Sequence, residues 1–180
     1  MNSYGELIAD DTVRFRRVLP GPIERVWRYL TDAELRAKWL AGGDTELKVG
    51  GHVDLLFHNA SLSELPDIPP PEKYRHLPEE IAFHGTVTRC EPPRLLAHTW
   101  VGEDEHSEVT YELEEQGDDV LLTLTHRRIT TREMKSSILG GWHTHLDILA
   151  DVLNERPAQP FWTRHTALEA EYETRLPAET

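Results

Sequence analysis

Residues 107–127 read SEVTYELEEQGDDVLLTLTHR, and the two halves alternate in the same way about Gln116-Gly117-Asp118-Asp119. Val109, Tyr111 and Leu113, then Leu122 and Leu124, are separated by Glu108, Thr110, Glu112, Glu114, Thr123 and Thr125. A period of two marks half-buried strands, and the Gly-Asp turn joins them as an antiparallel hairpin. Pairing outward from that turn sets Tyr111 opposite Leu124, Val109 opposite His126 and Leu113 opposite Leu122. A slip of one residue would carry every glutamate into the core, so the two faces are strongly specified.

Two further strands precede the hairpin, at 81–89 and 94–101, with turn signals at Glu91-Pro92-Pro93 and in the loop 102–106. Connections this short predict an antiparallel meander. Counting from the turns pairs Val87 with His98 and Gly85 with Trp100, then His98 with Tyr111, Trp100 with Val109 and Leu96 with Leu113. One face then carries Phe83, Gly85, Val87, Leu96, His98, Trp100, Val109, Tyr111, Leu113, Leu122, Leu124 and His126. Gly85 is expected to leave bare backbone under the Trp100 indole.

Toward the N-terminus, 12–19 (TVRFRRVL) reads as a strand with Val13, Phe15 and Val18 inward and Arg14 and Arg16 outward. Gly21-Pro22 opens a short helix through Ile23, Val26, Trp27 and Leu30. A Thr31-x-x-Glu34 capping box opens a second one bearing Leu35 and Trp39. Glycine pairs at 42–43 and 50–51 bracket a short strand. Residues 52–58 form the next, with Val53, Leu55 and Phe57 inward and Asp54 and His58 outward. Residues 59–80 hold Pro66, Pro69, Pro70, Pro71 and Pro78 and are expected to be an irregular, lid-like insertion.

After the meander, Thr130 and Glu133 form another capping box. The helix they open has a stripe at Met134, Ile138, Trp142, His145, Leu149 and Val152, with Leu146 and Leu153 beside it. It is the one long amphipathic element available to cover the apolar face. Gly140-Gly141 costs about 1 kcal/mol per residue in a helix, which suggests a close approach to the sheet. Pro157 and Pro160 end the helix. A last helix with Phe161, His165, Leu168, Tyr172 and Leu176 is expected to dock on the outside or on a second copy of the chain, a homodimer. The division is a tail at 1–11, a domain at 12–156 and a helical extension at 157–180. The fold class is α+β, a curved antiparallel sheet of about seven strands wrapped on a long C-terminal helix.

With 180 residues the chain suits one domain, and its net charge of −13 opposes nucleic acid and anionic membranes. No apolar run reaches the roughly 20 residues of a membrane span, and no secretory leader is visible, so membrane insertion is not expected. Cys90 is the single cysteine, which with a reducing compartment predicts a cytoplasmic location. Its position at a strand end, with no activating base near in sequence, reads as structural.

Ten histidines invite a metal site, but His143 and His145 diverge on their helix and no zinc spacing is present. His52 and His58 fall on a wet strand face. Neither a metal nor a cofactor is expected. His98, Tyr111 and His126 on the inner face are the candidate acid–base groups, with His145 facing them from the helix. The alternative is a pair of buried rings bonded to one another. The expected lining of a cavity between sheet and helix is Leu55, Phe57, Phe83, Val87, His98, Trp100, Val109, Tyr111, Leu124, His126, Trp142, His145 and Leu149. Taken alone, these residues allow a solid core as readily as a ligand cavity.

The stretches VRFRRVLPGPIERVWRYLTDAELRAKWL, VGGHVDLLF, EPPRLLAHTW, SEVTYELEEQGDDVLLTLTHRRI and GGWHTHLDILADVL run in one order from about Thr12 to Leu153. In that order the chain resembles the START-like (SRPBCC) superfamily of helix-grip proteins, in its activator of Hsp90 ATPase homologue 1-like branch. The resemblance implies a seven-stranded sheet gripping a C-terminal helix around a deep apolar cavity. It also implies a range of roles, from lipid or secondary-metabolite binders to aromatic polyketide cyclases, among which a fold cannot choose. Binding or carriage of a small hydrophobic molecule is the first expectation. A cyclase or dehydratase using the His and Tyr groups is the second, and a partner-binding, co-chaperone-like role the third. The third stands lowest, because the branch's eponymous protein has an additional N-terminal domain and the first strand expected here begins near Thr12.

Overall fold

The computed structural model describes residues 2–101 and 106–178, with Val101 and His106 as backbone only. Seven strands build one antiparallel sheet: β1 (Glu6–Ala9), β2 (Thr12–Pro20), β3 (His52–Phe57), β4 (Ile81–Glu91), β5 (Leu95–Val101), β6 (His106–Gln116) and β7 (Asp119–Arg127). Their spatial order is β1-β2-β7-β6-β5-β4-β3. Helices α1 (Ile23–Thr31) and α2 (Ala33–Arg36) lie between β2 and β3 in the chain. The long helix α3 (Arg132–Leu153) packs on the concave apolar face, and α4 (Phe161–Arg175) packs on α3. This is the α+β helix-grip arrangement. Among the described residues no helix is long and apolar enough to cross a membrane.

The β6–β7 hairpin has the expected register, with Tyr111 opposite Leu124, Val109 opposite His126 and Leu113 opposite Leu122. Gly117 supplies the positive φ of +66° that its tight turn requires. Between β5 and β6 the register is two residues away from expectation: His98 faces Val109, Leu96 faces Tyr111 and Trp100 faces Ser107. A shift of two leaves every side chain on its face, so hydrophobic alternation cannot detect it. Residues 102–105 of that connection lie outside the described residues.

On the other side, Val87 faces His98 and His84 faces Val101, the register that sets Gly85 opposite Trp100 as expected, and an irregularity between Val87 and Arg89 offsets only the turn end of the pair. Gly85 serves this close pairing rather than the Trp100 indole, since a Cβ there would lie 2.0 Å from the Thr99 carbonyl oxygen.

Several local expectations change. Part of the presumed tail is β1, paired with β2. In β2 the strict period of two buries Val13, Phe15, Arg17 and Leu19, while Val18 is 46% exposed. Arg17 takes an inward place because Asp147 of α3 lies 3.5 Å from its guanidinium. Asp32, not Thr31, caps α2 by accepting from the Glu34 and Leu35 amides, and Thr131, not Thr130, caps α3 through the Met134 amide. Residues 42–51 form isolated bridges to β3 instead of a strand. The buried Arg36 guanidinium pins them by donating to the Ala41, Gly42, Gly43 and Asp54 carbonyls and to Thr45 Oγ1.

Helix α3 is buried almost all round its second half: besides Trp142, Leu146, Leu149 and Leu153 it buries His143, Thr144 and Ile148. Helix α4 is the reason. It docks on α3 of the same chain, and Gly140 makes the approach possible, because a Cβ there would stand 3.2 Å from Glu169 Cβ. The close approach expected against the sheet is therefore against α4.

Candidate functional site

Helix and sheet do not stay in contact along their whole length. Toward the β3–β4 edge they separate around a cavity of about 220 Å³. Its sheet wall is Phe57 of β3, Ile81 and Phe83 of β4, and Trp100 of β5. The opposite wall is Ser137, Ile138, Gly141, Trp142 and His145 of α3, joined by Phe161, Trp162 and His165 of α4. Leu40, Asn59 and His126 add to the lining, and Tyr74 and Leu77 flank it from the Pro-rich segment. A wider depression of about 660 Å³ shares Tyr74, Phe83, Trp100, Ser137 and Ile138 with it and adds Lys73, Glu133, Glu169 and Glu173.

The walls are mostly aromatic and meet edge to face, the favourable geometry for such rings. Phe57 and Phe83 centroids are 5.6 Å apart at 86°, and Trp100 and Trp142 are 5.3 Å apart at 62°. His145 sits 5.0 Å from Phe161, which stacks on His165 at 5.3 Å. Gly141 matters by what it omits: a Cβ there meets nothing within 4 Å, so the cavity extends to the helix backbone.

The Pro-rich segment is an ordered cap, with two short 3-10 turns at Asn59–Ser61 and Glu72–Tyr74. Asp67 fixes it to α4, whose own preceding residue, Pro160, has no capping side chain. The Asp67 carboxylate accepts from the Trp162 and Thr163 amides and from Thr163 Oγ1, each at 2.8 Å. Farther along, the buried Glu169 carboxylate accepts from Lys73 Nζ at 2.7 Å and from the Tyr74 hydroxyl at 2.8 Å. Cap and last helix are thus tied at both ends of their contact.

Six of the residues expected to line a cavity do so: Phe57, Phe83, Trp100, His126, Trp142 and His145. Leu55, Val87, His98, Val109, Tyr111, Leu124 and Leu149 are instead packed in the solid part of the core. The six on the sheet share the inner face, but α3, with its own Leu149, fills the space above them. Sequence reasoning missed Leu40, Tyr74, Leu77 and the α4 residues. Aromatic side chains inside an otherwise polar, proline-rich stretch, and the Phe161-Trp162 pair opening α4, were the available signals.

The candidate acid–base groups are held internally. Trp142 Nε1–H donates to His126 Nδ1 at 3.0 Å, which fixes the neutral ring with its proton on Nε2. That nitrogen donates to Ser107 Oγ at 2.8 Å, and Ser107 donates to the Trp100 carbonyl at 3.1 Å. Burial, reinforced by His98, pulls His126 down to about 3. His98 is 2% exposed, donates Nδ1–H to the Thr99 carbonyl at 2.9 Å, and is pulled by burial to about 4. The two histidines are not bonded to one another; each has separate partners. Tyr111 lies 5.8 Å from His98, ring to ring, and burial raises its phenol. Cys90 is half-buried, and burial raises its thiol as well. Among the described residues there is no group of three or more His, Cys, Asp or Glu side chains able to hold a metal ion.

The geometry has counterparts among known structures. The solution structure of the protein encoded by gene BPP1335 from Bordetella parapertussis shares 42% identity and a TM-score of 0.80, over 99% of this chain and 93% of that one. The crystal structure of CalU16 from Micromonospora echinospora shares 26% identity and a TM-score of 0.66, over 92% of this chain and 87% of that one. DynU16, from the dynemicin biosynthetic locus, shares the fold at 20% identity and a TM-score of 0.65, over 86% of this chain and 51% of that one. No curated protein matches. The family model described as Activator of Hsp90 ATPase homolog 1-like protein matches residues 20–67 and 71–154, on both sides of a short gap in the Pro-rich cap. From the end of β2 through α3, therefore, sequence and fold agree, and the chain belongs to the Activator of Hsp90 ATPase homolog 1-like family, in the START-like superfamily.

Proposed function

We propose that this protein binds a small, largely apolar molecule, aromatic in character, in the cavity between β3–β5, α3, α4 and the Pro-rich cap. The observation that carries this reading is the void itself: about 220 Å³ bounded by Phe57, Phe83, Trp100, Trp142, Phe161 and Trp162. Protein interiors are close-packed, so an unfilled apolar space walled by rings is a natural seat for a small ligand. The same geometry weighs against turnover by the expected groups. His98 and Tyr111 lie outside the cavity wall, and both nitrogens of His126 are already bonded within the protein. Binding or carriage is favoured over a cyclase or dehydratase reaction.

CalU16 and DynU16 lend no ligand to this chain; the aromatic walls of its own cavity make phenolic ring compounds the first probes. Thermal unfolding with a panel of such compounds tests the proposal, because a ligand that binds only the native state raises Tm by mass action. Gly141→Leu is the matched control, since its side chain projects into free space. Wild-type protein is expected to show shifts that the variant lacks. Equal shifts in both would place binding elsewhere, and no shift with any compound would remove the proposal.

A further inference from the structure

Five side chains line both the cavity and the wider depression beside it: Tyr74, Phe83, Trp100, Ser137 and Ile138. Phe83 and Trp100 belong to β4 and β5, and Ser137 and Ile138 to α3, so the sheet and the long helix carry all but one of them. Tyr74 alone comes from the cap. It is held there from several directions. Its hydroxyl donates to Glu169 Oε1 of α4 at 2.8 Å and, with its one proton so used, accepts from Ser137 Oγ of α3 at 3.2 Å. Its ring centroid lies 5.5 Å from those of Trp162 and His165. Lys73 Nζ stands 5.2 Å from the same centroid and donates to Glu169 Oε1 at 2.7 Å.

Glu169 is 4% exposed. Lifting Lys73 and Tyr74 away would strand its buried carboxylate, a costly state. The Tyr74 ring is therefore a fixed panel beside a space of about 220 Å³ on one side and one of about 660 Å³ on the other. The smaller space falls below the roughly 300–1,000 Å³ of sites for drug-sized ligands, and the two joined would fall within that range. Resting on the cavity reading above, we infer that Tyr74 is the size-determining residue of the site. It confines the occupant to a compact ring system, naphthol-like in size, and excludes longer polycyclic molecules that need both spaces.

Calorimetric titration of the whole chain at neutral pH with naphthol and with estradiol tests this. Both probes are neutral phenols, and the steroid skeleton of estradiol is much the larger. Wild-type protein should bind naphthol more tightly. Tyr74→Ala should raise the ratio of estradiol to naphthol affinity about tenfold, because it relieves the overfilling that the panel imposes. Tyr74→Phe keeps the ring but loses both hydroxyl contacts, so its ratio should lie between those of the wild type and Tyr74→Ala. The ratio is the readout because a general loosening of the fold would weaken both probes together. Should Tyr74→Ala fail to fold, a raised ratio in Tyr74→Phe carries the test. Estradiol bound by the wild type as tightly as naphthol, or a ratio unchanged in the folded variants, overturns the inference while leaving the cavity reading in place. Failure of both probes to bind any of the three proteins removes the cavity reading and this inference with it.

Discussion

Gly140 and Gly141 are neighbours with opposite assignments. A methyl group on Gly140 meets Glu169 Cβ at 3.2 Å and Cα at 3.3 Å, while one on Gly141 meets nothing. Alanine gains about 1 kcal/mol over glycine in a helix interior, and crowding a packed contact costs about 1–3 kcal/mol. Gly141→Ala should therefore raise stability by about 1 kcal/mol and Gly140→Ala should lower it by about the same amount. Urea unfolding midpoints of the two variants check the signs, and a shared sign would mean that α4 yields freely. At this scale the sequence was legible for the faces of β6 and β7, but in β2 it turned Val18 inward where the strand is exposed. It was not legible for Arg17 and Arg36, whose burial depends on acceptors from distant segments, Asp147 for one and the 41–45 turn with Asp54 for the other.

Among elements, alternation and turn chemistry sufficed for β6–β7, because a tight turn fixes both face and register. They fell short at β5–β6, where an offset of two residues preserves every face. The location of the cavity was illegible for a related reason. All four late strands present the same kind of inner side chain, and only the divergence of α3 from the sheet decides which stay uncovered. The cap is irregular, as expected, but its role as N-terminal partner of α4 through Asp67 was not legible. A lost capping carboxylate costs about 1 kcal/mol. Asp67→Ala should lower stability by that order and speed amide exchange in the first turn of α4 and in the cap together. Faster exchange in α4 alone would show that the cap is held by other contacts, such as Ser63 Oγ to the Ala158 carbonyl.

For the whole molecule the histidines set the response to acid. Burial holds His98 and His145 at about 4 and His126 and His143 at about 3, against an ordinary value of 6.5. The unfolded chain takes up these protons first, so the associated stability is complete above about pH 6.5 and drains away as pH falls toward 4 to 3. Each group contributes on the order of 1 kcal/mol per pH unit across that window, and a domain has only about 5–15 kcal/mol in total. Circular dichroism should show cooperative unfolding near pH 5, accompanied by uptake of several protons. A urea midpoint equal at pH 7 and pH 5 would contradict it.

Three of the five tryptophans, Trp100, Trp142 and Trp162, share the cavity wall, while Trp39 is sealed in the core. The indole of Trp142 is hydrogen-bonded to an imidazole and lies against that of Trp100. A molecule entering that space would alter the surroundings of these chromophores before those of the others. Under the proposed function the polypeptide would carry a built-in optical gauge of occupancy, readable by emission without any label.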